Sequence, residues 1–196
     1  MLQTMGGNPR NFQKLNLYSL PSPCFVIDKK ALISNLEVLQ RLKVETNVKI
    51  LIALKAFSNL ALAPLISKYL DGCCSSGLYE TRLAAKYFQG EVSTFSPAFK
   101  SSEFEEIADI SNHIIFNSLN QFNNFHSVAE KFNKEVGIRV NPLYSEITNP
   151  KYNSANIYSR LGIHINDLNK IDLDKIDGIH FHTLCEQNFQ PLQNTW

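Results

Sequence analysis

The chain has 196 residues, 44% of them hydrophobic and 19% charged, a balance typical of a globular protein that excludes a disordered or fibrous one. Nineteen Lys and Arg residues against eighteen Asp and Glu residues give a formal net charge of +1, so charge gives no reason to expect a nucleic-acid or membrane partner. The apolar runs are too short to span a membrane, and the four cysteines lack the spacing of a disulfide framework, so we expect a reduced, cytoplasmic compartment.

Apolar runs and helical patterns alternate along the chain after an irregular lead-in over residues 1–20, which we expect to be mobile. Asp28 is a favourable N-cap for a helix over about residues 29–45. The periodicity predicts further helices over residues 60–69, 78–87, 102–109 and 120–132. Six short apolar runs predict β-strands over residues 50–54, 71–75, 92–95, 113–116, 136–140 and 178–182.

Strands separated by helices of this length predict right-handed βαβ units, a parallel sheet and an α/β fold. A doubly wound sheet would carry a glycine-rich phosphate-binding turn after an early strand, and no such turn is found. The remaining candidate is a (β/α)8 TIM-type barrel, which needs eight strands and typically about 250 residues. Because six strands are counted by Trp196, we expect residues 21–196 to be the N-terminal part of a barrel truncated after about six strands. Residues 141–159, rich in Asn, Ser, Tyr and Pro, are predicted to form a long functional loop.

Three strands end in polar side chains that alternate with aliphatic ones. Lys55 follows the first strand, Arg139 lies in the fifth and His182 ends the sixth. The carboxyl ends of barrel strands carry the active site, so these three side chains are predicted to meet at one mouth. Lys55 would then be an amine available for Schiff-base chemistry. Each residue also has an ordinary interpretation: a lysine reaching solvent, an arginine in a surface salt bridge, and a histidine hydrogen-bonded in the core.

A metal site is an alternative for the last predicted strand, where His180, Cys185 and Glu186 are close in sequence. This group lacks a second set of ligands at the usual spacing, so we expect no metal. Cys73 and Cys74 are most simply small residues of a buried strand.

Eight segments stand out in chain order: LPSPCFVID (20–28), ALKAFS (53–58), DGCCSSGLYE (71–80), FSPA (95–98), HIIFNS (113–118), RVNP (139–142), SRLGI (159–163) and HFHTLCEQN (180–188). Together they resemble the carboxynorspermidine (carboxyspermidine) decarboxylases. This family belongs to the fold-type III pyridoxal-phosphate decarboxylases, with ornithine and diaminopimelate decarboxylases and alanine racemase as relatives. ALKAFS and HFHTLCEQ are the specific segments, whereas RVNP and SRLGI are shared with the diaminopimelate enzymes.

The resemblance implies pyridoxal 5'-phosphate as the cofactor and assigns roles to five residues. Lys55 matches the lysine that forms a Schiff base with the cofactor, and His182 matches the histidine that stacks on its ring. Arg139 matches an arginine near the phenolic oxygen. Cys185 occupies the place of a small polar residue near the phosphate, and Glu80 that of a supporting glutamate.

The implied activity is that of a carboxy-lyase, the decarboxylation of carboxynorspermidine or carboxyspermidine in spermidine biosynthesis by a cytoplasmic homodimer. In that family the phosphate-binding glycine loop, the acid that faces the ring nitrogen and the C-terminal β-domain come later in the chain. We therefore expect this chain to be a fragment without activity of its own. Three alternatives remain open: a diaminopimelate decarboxylase-like enzyme, a non-catalytic barrel that binds pyridoxal phosphate, and an inert fragment.

Overall fold

The computed structural model describes residues 4–185 and 187–196. The helices are α1 (Lys29–Thr46), α2 (Ala63–Ile66), α3 (Leu78–Tyr87), α4 (Ser101–Ile110), α5 (Leu119–Lys131) and α6 (Phe189–Thr195). The strands are β1 (Leu51–Ala53), β2 (Gly72–Ser75), β3 (Glu91–Phe95), β4 (His113–Phe116), β5 (Glu135–Asn141), β6 (Ile163–His164) and β7 (Gly178–His180).

The strands form a parallel sheet in the sequential order β1-β2-β3-β4-β5, with β6 and β7 both pairing with β5. This order is that of a singly wound barrel, because a doubly wound sheet reverses direction at a switch point. Within the described part of the chain, the strands form an open arc from β1 to β7. The predicted α/β class and all six predicted strands are therefore confirmed, and the two-residue β6 is an addition.

Helix α1 is bounded by a capping residue at each end. Asp28 Oδ1 accepts hydrogen bonds from the backbone N–H groups of Lys30 and Ala31, and α1 ends at Asn47 in the left-handed conformation. The single helix predicted over residues 60–69 is wrong in detail: a 3-10 helix, Leu60–Leu62, precedes a short α2. Pro64 explains the break, because it has no N–H to donate and is tolerated in the first turn of a helix.

The described part of the lead-in contacts α1. The backbone N–H of Met5 donates to Asn35 Oδ1 at 2.7 Å, and Asn35 Nδ2 donates to the Met5 carbonyl at 2.9 Å. Short 3-10 helices occupy Pro9–Phe12 and Leu17–Ser19. The mobility of this segment stays a prediction. Within the described ranges, no helix is both long enough and apolar enough to cross a membrane.

The apolar core lies between the sheet and its helices. One cluster surrounds Phe104, Phe116 and Ile138, between α4, α5 and the strands β4 and β5. The second surrounds Leu36, Ile66 and Cys73, between α1, α2 and the strands β1 and β2. These side chains occupy alternate strand positions, so the intervening positions of each strand point to the opposite, inner face of the sheet.

Candidate active site

The inner face of the sheet carries the polar strand residues. Near the amino ends of the strands it lines a cavity of about 160 Å³ with Ser93, Ile115, Gly137 and Gly178. A Cβ atom at Gly137 would lie 2.7 Å from Ile115 Cδ1 and 3.2 Å from the Gly178 carbonyl oxygen, so the neighbouring strands pack closely at this position. Towards the carboxyl ends the same face carries larger groups, which form the candidate site.

Arg139 is a buried cation of this face. The residue is 5% exposed, and its guanidinium carbon lies 4.9 Å from the centroid of the Phe95 ring, a cation–π contact. Burial lowers the pKa of its guanidinium. None of the ion pairs formed among residues 4–185 and 187–196 involves Arg139. Its interpretation as a surface salt bridge is therefore wrong, and the arginine is available to an anionic ligand.

Two histidines lie beside Arg139. His180 pairs with Arg139 in the register of β5 and β7, and its ring stacks on Phe95 with centroids 5.4 Å apart. The rings of His180 and His182 are 6.4 Å apart, edge to face. Burial, and then the charge of Arg139, lowers the pKa of His180 to about 4. Burial also lowers the pKa of His182, although that residue is the more exposed of the two. Both imidazoles are therefore neutral at pH 7.

Lys55 follows β1 by two residues and is exposed, as its ordinary interpretation also predicts. Its positive charge nevertheless lowers the pKa of both His180 and His182, and it opposes the burial that raises the pKa of the Cys74 thiol. Such effects require proximity, so the amine lies near these groups. Lys55 and His182 each lie two residues beyond a strand end, and Arg139 pairs with His180 in the register, so all three residues lie towards the carboxyl end of the same sheet.

The long loop predicted over residues 141–159 is attached to this end of the sheet. Asn141, which is 1% exposed, donates from Nδ2 to the Asn156 carbonyl at 3.1 Å. Ser154 Oγ donates to the carbonyl of His182 at 2.5 Å, and Ser145 Oγ donates to that of Thr183 at 3.3 Å. The loop thereby fixes the backbone on which the His182 ring is carried.

The other predicted site residues lie further out. Glu80 is half-buried in the first turn of α3, where its Oε2 accepts a hydrogen bond of 2.7 Å from the Ser76 N–H. This contact ties Glu80 to the turn that precedes α3, so the structure gives Glu80 a local role. Cys185 is an exposed free thiol beyond β7. Glu186 lies outside the described residues, and the part of the chain that is described holds no group of three metal-ligating side chains. The cofactor contacts of Glu80 and Cys185 stay predictions.

Phe95 and His180 are site residues that the sequence interpretation missed. The sequence places Phe95 within the FSPA segment and offers His180 only as a possible metal ligand. The alternation of β3 carries the missing signal, because Val92 and Thr94 are buried towards the helices and Phe95 must then face inward with Arg139.

No family model matches the chain. Curated relatives do match it. The carboxynorspermidine/carboxyspermidine decarboxylase of Campylobacter jejuni is 39% identical over 174 residues, which cover 89% of this chain and 45% of that protein. The carboxyaminopropylagmatine decarboxylase of Synechocystis sp. is 34% identical over 188 residues, 96% of this chain and 47% of the relative. A carboxynorspermidine/carboxyspermidine decarboxylase of Herminiimonas arsenicoxydans is 37% identical over 169 residues, which cover 85% of this chain and 45% of that protein.

Solved structures agree with these relatives. The carboxynorspermidine decarboxylase of Campylobacter jejuni, solved with norspermidine, superposes with a TM-score of 0.80 at 38% identity, over 90% of this chain and 45% of that chain. Diaminopimelate decarboxylase of Helicobacter pylori superposes with a TM-score of 0.70 at 17% identity, over 83% of this chain and 45% of that chain. Ornithine decarboxylase of Entamoeba histolytica superposes with a TM-score of 0.52 at 20% identity, over 75% of this chain and 41% of that chain. At these lower identities, the last two show a shared fold alone.

The chain spans a little under half the length of the curated relatives that it matches. Over most of its own length, sequence identity and superposition agree on the same decarboxylases. The resemblance predicted from the eight sequence segments is confirmed: the chain is similar to the carboxynorspermidine/carboxyspermidine decarboxylases.

Proposed function

We propose that this chain supplies the cofactor-binding face of a pyridoxal-phosphate-dependent carboxy-lyase that decarboxylates carboxynorspermidine or carboxyspermidine in cytoplasmic polyamine biosynthesis. The observation that carries the proposal is the placement of Lys55, Arg139 and His182 towards the carboxyl end of one parallel sheet. The similarity to decarboxylases of these two substrates supports the choice of reaction. The homodimer of the complete enzyme is part of the same proposal.

The residues present fit pyridoxal phosphate. The cofactor is an aromatic ring with an aldehyde and anionic oxygens, so it needs an amine, a flat surface and a cation. Lys55 offers the amine, the neutral ring of His182 offers the surface, and buried Arg139 offers the cation. We propose in addition that Cys185 faces the phosphate and that Glu80 supports the site from α3. When bound, the cofactor accepts the electron pair that the departing carboxylate leaves behind.

The chain's own groups prepare the site by their charge and position. Arg139 is already desolvated over Phe95, so binding an anion costs it little further dehydration. The neutral state of both histidines avoids repulsion with Lys55 and Arg139. The loop contacts of Ser154 hold the His182 backbone before any ligand arrives.

Cofactor binding tests the proposal through the absorbance spectrum of the purified chain with pyridoxal phosphate. We expect a visible band in the wild type, none in Lys55→Ala, and an unchanged band in the control Lys68→Ala, which removes an exposed lysine on another part of the surface. Borohydride reduction should then place the cofactor label on the peptide that contains Lys55. A band that survives in Lys55→Ala would contradict the proposed role of Lys55.

The choice of reaction is tested by CO2 release. Carboxynorspermidine as the productive substrate would support the proposal, whereas diaminopimelate would favour the alternative that the fold alone leaves open. Binding of the cofactor without turnover of either substrate would favour the non-catalytic barrel. The absence of a visible band in the wild type would favour the inert fragment.

A further inference from the structure

We propose that His180 is a second ligand-binding residue of the site, whose Nδ1 hydrogen-bonds an oxyanion held jointly with Arg139. The inference rests on the proposed function, which supplies an anionic cofactor and an anionic substrate. His180 lies beside Arg139 in the strand register, and both side chains contact the Phe95 ring, so their polar ends share one region of the inner face.

The hydrogen bonding of His180 points to a ligand. Its Nδ1 atom is fully buried and has no hydrogen-bond partner among residues 4–185 and 187–196. A buried polar nitrogen without a partner is destabilising, and native proteins rarely keep one without a functional reason. Stacking on Phe95 holds the plane of the imidazole ring at the inner face of the sheet.

The charges around His180 specify the kind of ligand. Arg139 and Lys55 contribute positive charge to its surroundings, and His182 is its other titratable neighbour. Within the described ranges, no carboxylate contributes to the lowered pKa of His180 or of His182. A neutral imidazole with hydrogen on Nδ1 can donate to an oxyanion while Arg139 neutralises the charge. The phenolate oxygen or a phosphate oxygen of the proposed cofactor would each satisfy this chemistry.

Three substitutions of His180 distinguish the contribution of its Nδ1 atom from that of its aromatic ring. His180→Phe keeps an aromatic ring on Phe95 and removes both nitrogens. His180→Asn places an amide near the position of Nδ1, whereas His180→Gln places one near Nε2. We expect the dissociation constant for pyridoxal phosphate, measured by spectral titration, to rise about 10- to 100-fold in His180→Phe and His180→Gln and to recover in His180→Asn.

Thermal unfolding without cofactor gives the second measurement. Because His180→Phe removes a buried atom that lacks a partner, its midpoint at pH 7 should equal or exceed that of the wild type. A loss of cofactor affinity without a loss of stability is a result that a purely structural histidine would not produce. Equal affinity in wild type and His180→Phe, or a lower midpoint with recovery in neither amide variant, would overturn the inference.

The source of the oxyanion is resolved by an analogue of the cofactor that lacks the 3-hydroxyl group. If the effect of His180→Phe disappears with 3-deoxypyridoxal 5'-phosphate, the phenolate is the partner; if the effect persists, the phosphate is. A wild-type chain that binds neither compound would overturn the proposed function of the chain and the inference with it. The failure of the inference alone is distinguishable, since the wild type would then bind and His180→Phe would bind equally well.

Discussion

Charged residues form ion pairs at the amino ends of the strands, whereas, among the described residues, a buried cation is unpaired towards the carboxyl ends. At the amino ends of the strands, Lys49 pairs with Glu91, and His113 Nε2 lies 2.9 Å from Glu135 Oε2. At the carboxyl ends, Arg139 is buried without an acidic partner in the described chain, with two neutral histidines nearby. Paired charges can stabilise a fold, whereas a buried cation without an acidic partner destabilises it. Such a cation is typical of a functional site, where an anionic ligand supplies the missing charge.

The neutral state of His180 should make the stability of the fold depend on pH. Its pKa is about 4 in the folded chain and 6.5 as an ordinary imidazole, so the unfolded chain binds more protons between these values. The stabilisation is therefore fully present above pH 6.5 and is lost as the pH falls towards 4. We expect the free energy of unfolding to decrease by at most about 3 kcal/mol over this interval because of His180.

Urea unfolding at pH 7, 6, 5 and 4 measures this dependence. His182, whose pKa is also lowered by burial, contributes in the same direction. His180→Phe has no titrating ring at this position, so its unfolding free energy should change less with pH than that of the wild type. An identical pH dependence in the two proteins would show that His180 is not the group that titrates.

A cluster of four hydroxyl groups connects the elements that support the site. Thr94 Oγ1 of β3 lies 2.7 Å from Ser75 Oγ of β2, 2.7 Å from Ser111 Oγ at the end of α4, and 3.2 Å from Thr81 Oγ1 of α3. All four residues are at most 3% exposed. Thr94 Oγ1 therefore contacts each of the other three hydroxyl groups of the cluster.

Thr94→Val keeps the shape of the side chain and removes the shared hydroxyl. Because it leaves buried hydroxyl groups without their partner, we expect the free energy of unfolding to fall by about 1–3 kcal/mol. Thr148→Val makes the same chemical change at an exposed loop position and should change stability by less than about 0.5 kcal/mol. Urea unfolding of the three proteins measures both effects. Equal stability of Thr94→Val and wild type would mean that the cluster is energetically neutral.

Elements with a repeated apolar pattern were predictable from the sequence. Helix α3 was predicted with the bounds that the structure gives it, and the six main strands with bounds within a few residues. The two-residue β6, the 3-10 helices over 165–175 and α6 were not predicted, because short segments of this kind carry too few residues for a period to show.

The residues of the site were predictable to a different degree. Lys55, Arg139 and His182 were found because strand alternation and strand ends define them locally. Phe95 and His180 matter through contacts with each other and with Arg139, across strands that are distant in sequence. Alternation within a strand places these residues on the inner face, but their contacts with one another depend on strand order and register, which a single strand's pattern does not contain.

At the scale of the whole molecule, the described strands leave two unlike edges: β1 on one side and, on the other, β6 and β7, which both pair with β5. Ile179 of β7 points towards the side where helices cover the other strands, yet it is 49% exposed. Nearby, Ile165 is 42% and Trp196 is 86% exposed. An uncovered strand edge with an apolar face is a template for pairing with another chain.

We therefore expect the purified 196-residue chain to self-associate as its concentration rises. Two unlike edges make head-to-tail contacts, which extend beyond a dimer unless they close into a ring. Ile179→Lys should shift the population towards the single chain of 22.3 kDa, because a charge on an edge strand disfavours edge pairing. Ile157→Lys, the same change at a loop residue that is 60% exposed, should leave the association unchanged. Light scattering coupled to size-exclusion chromatography over a series of concentrations measures this. A mass that stays at 22.3 kDa for the wild type at every concentration would show that the edges do not pair.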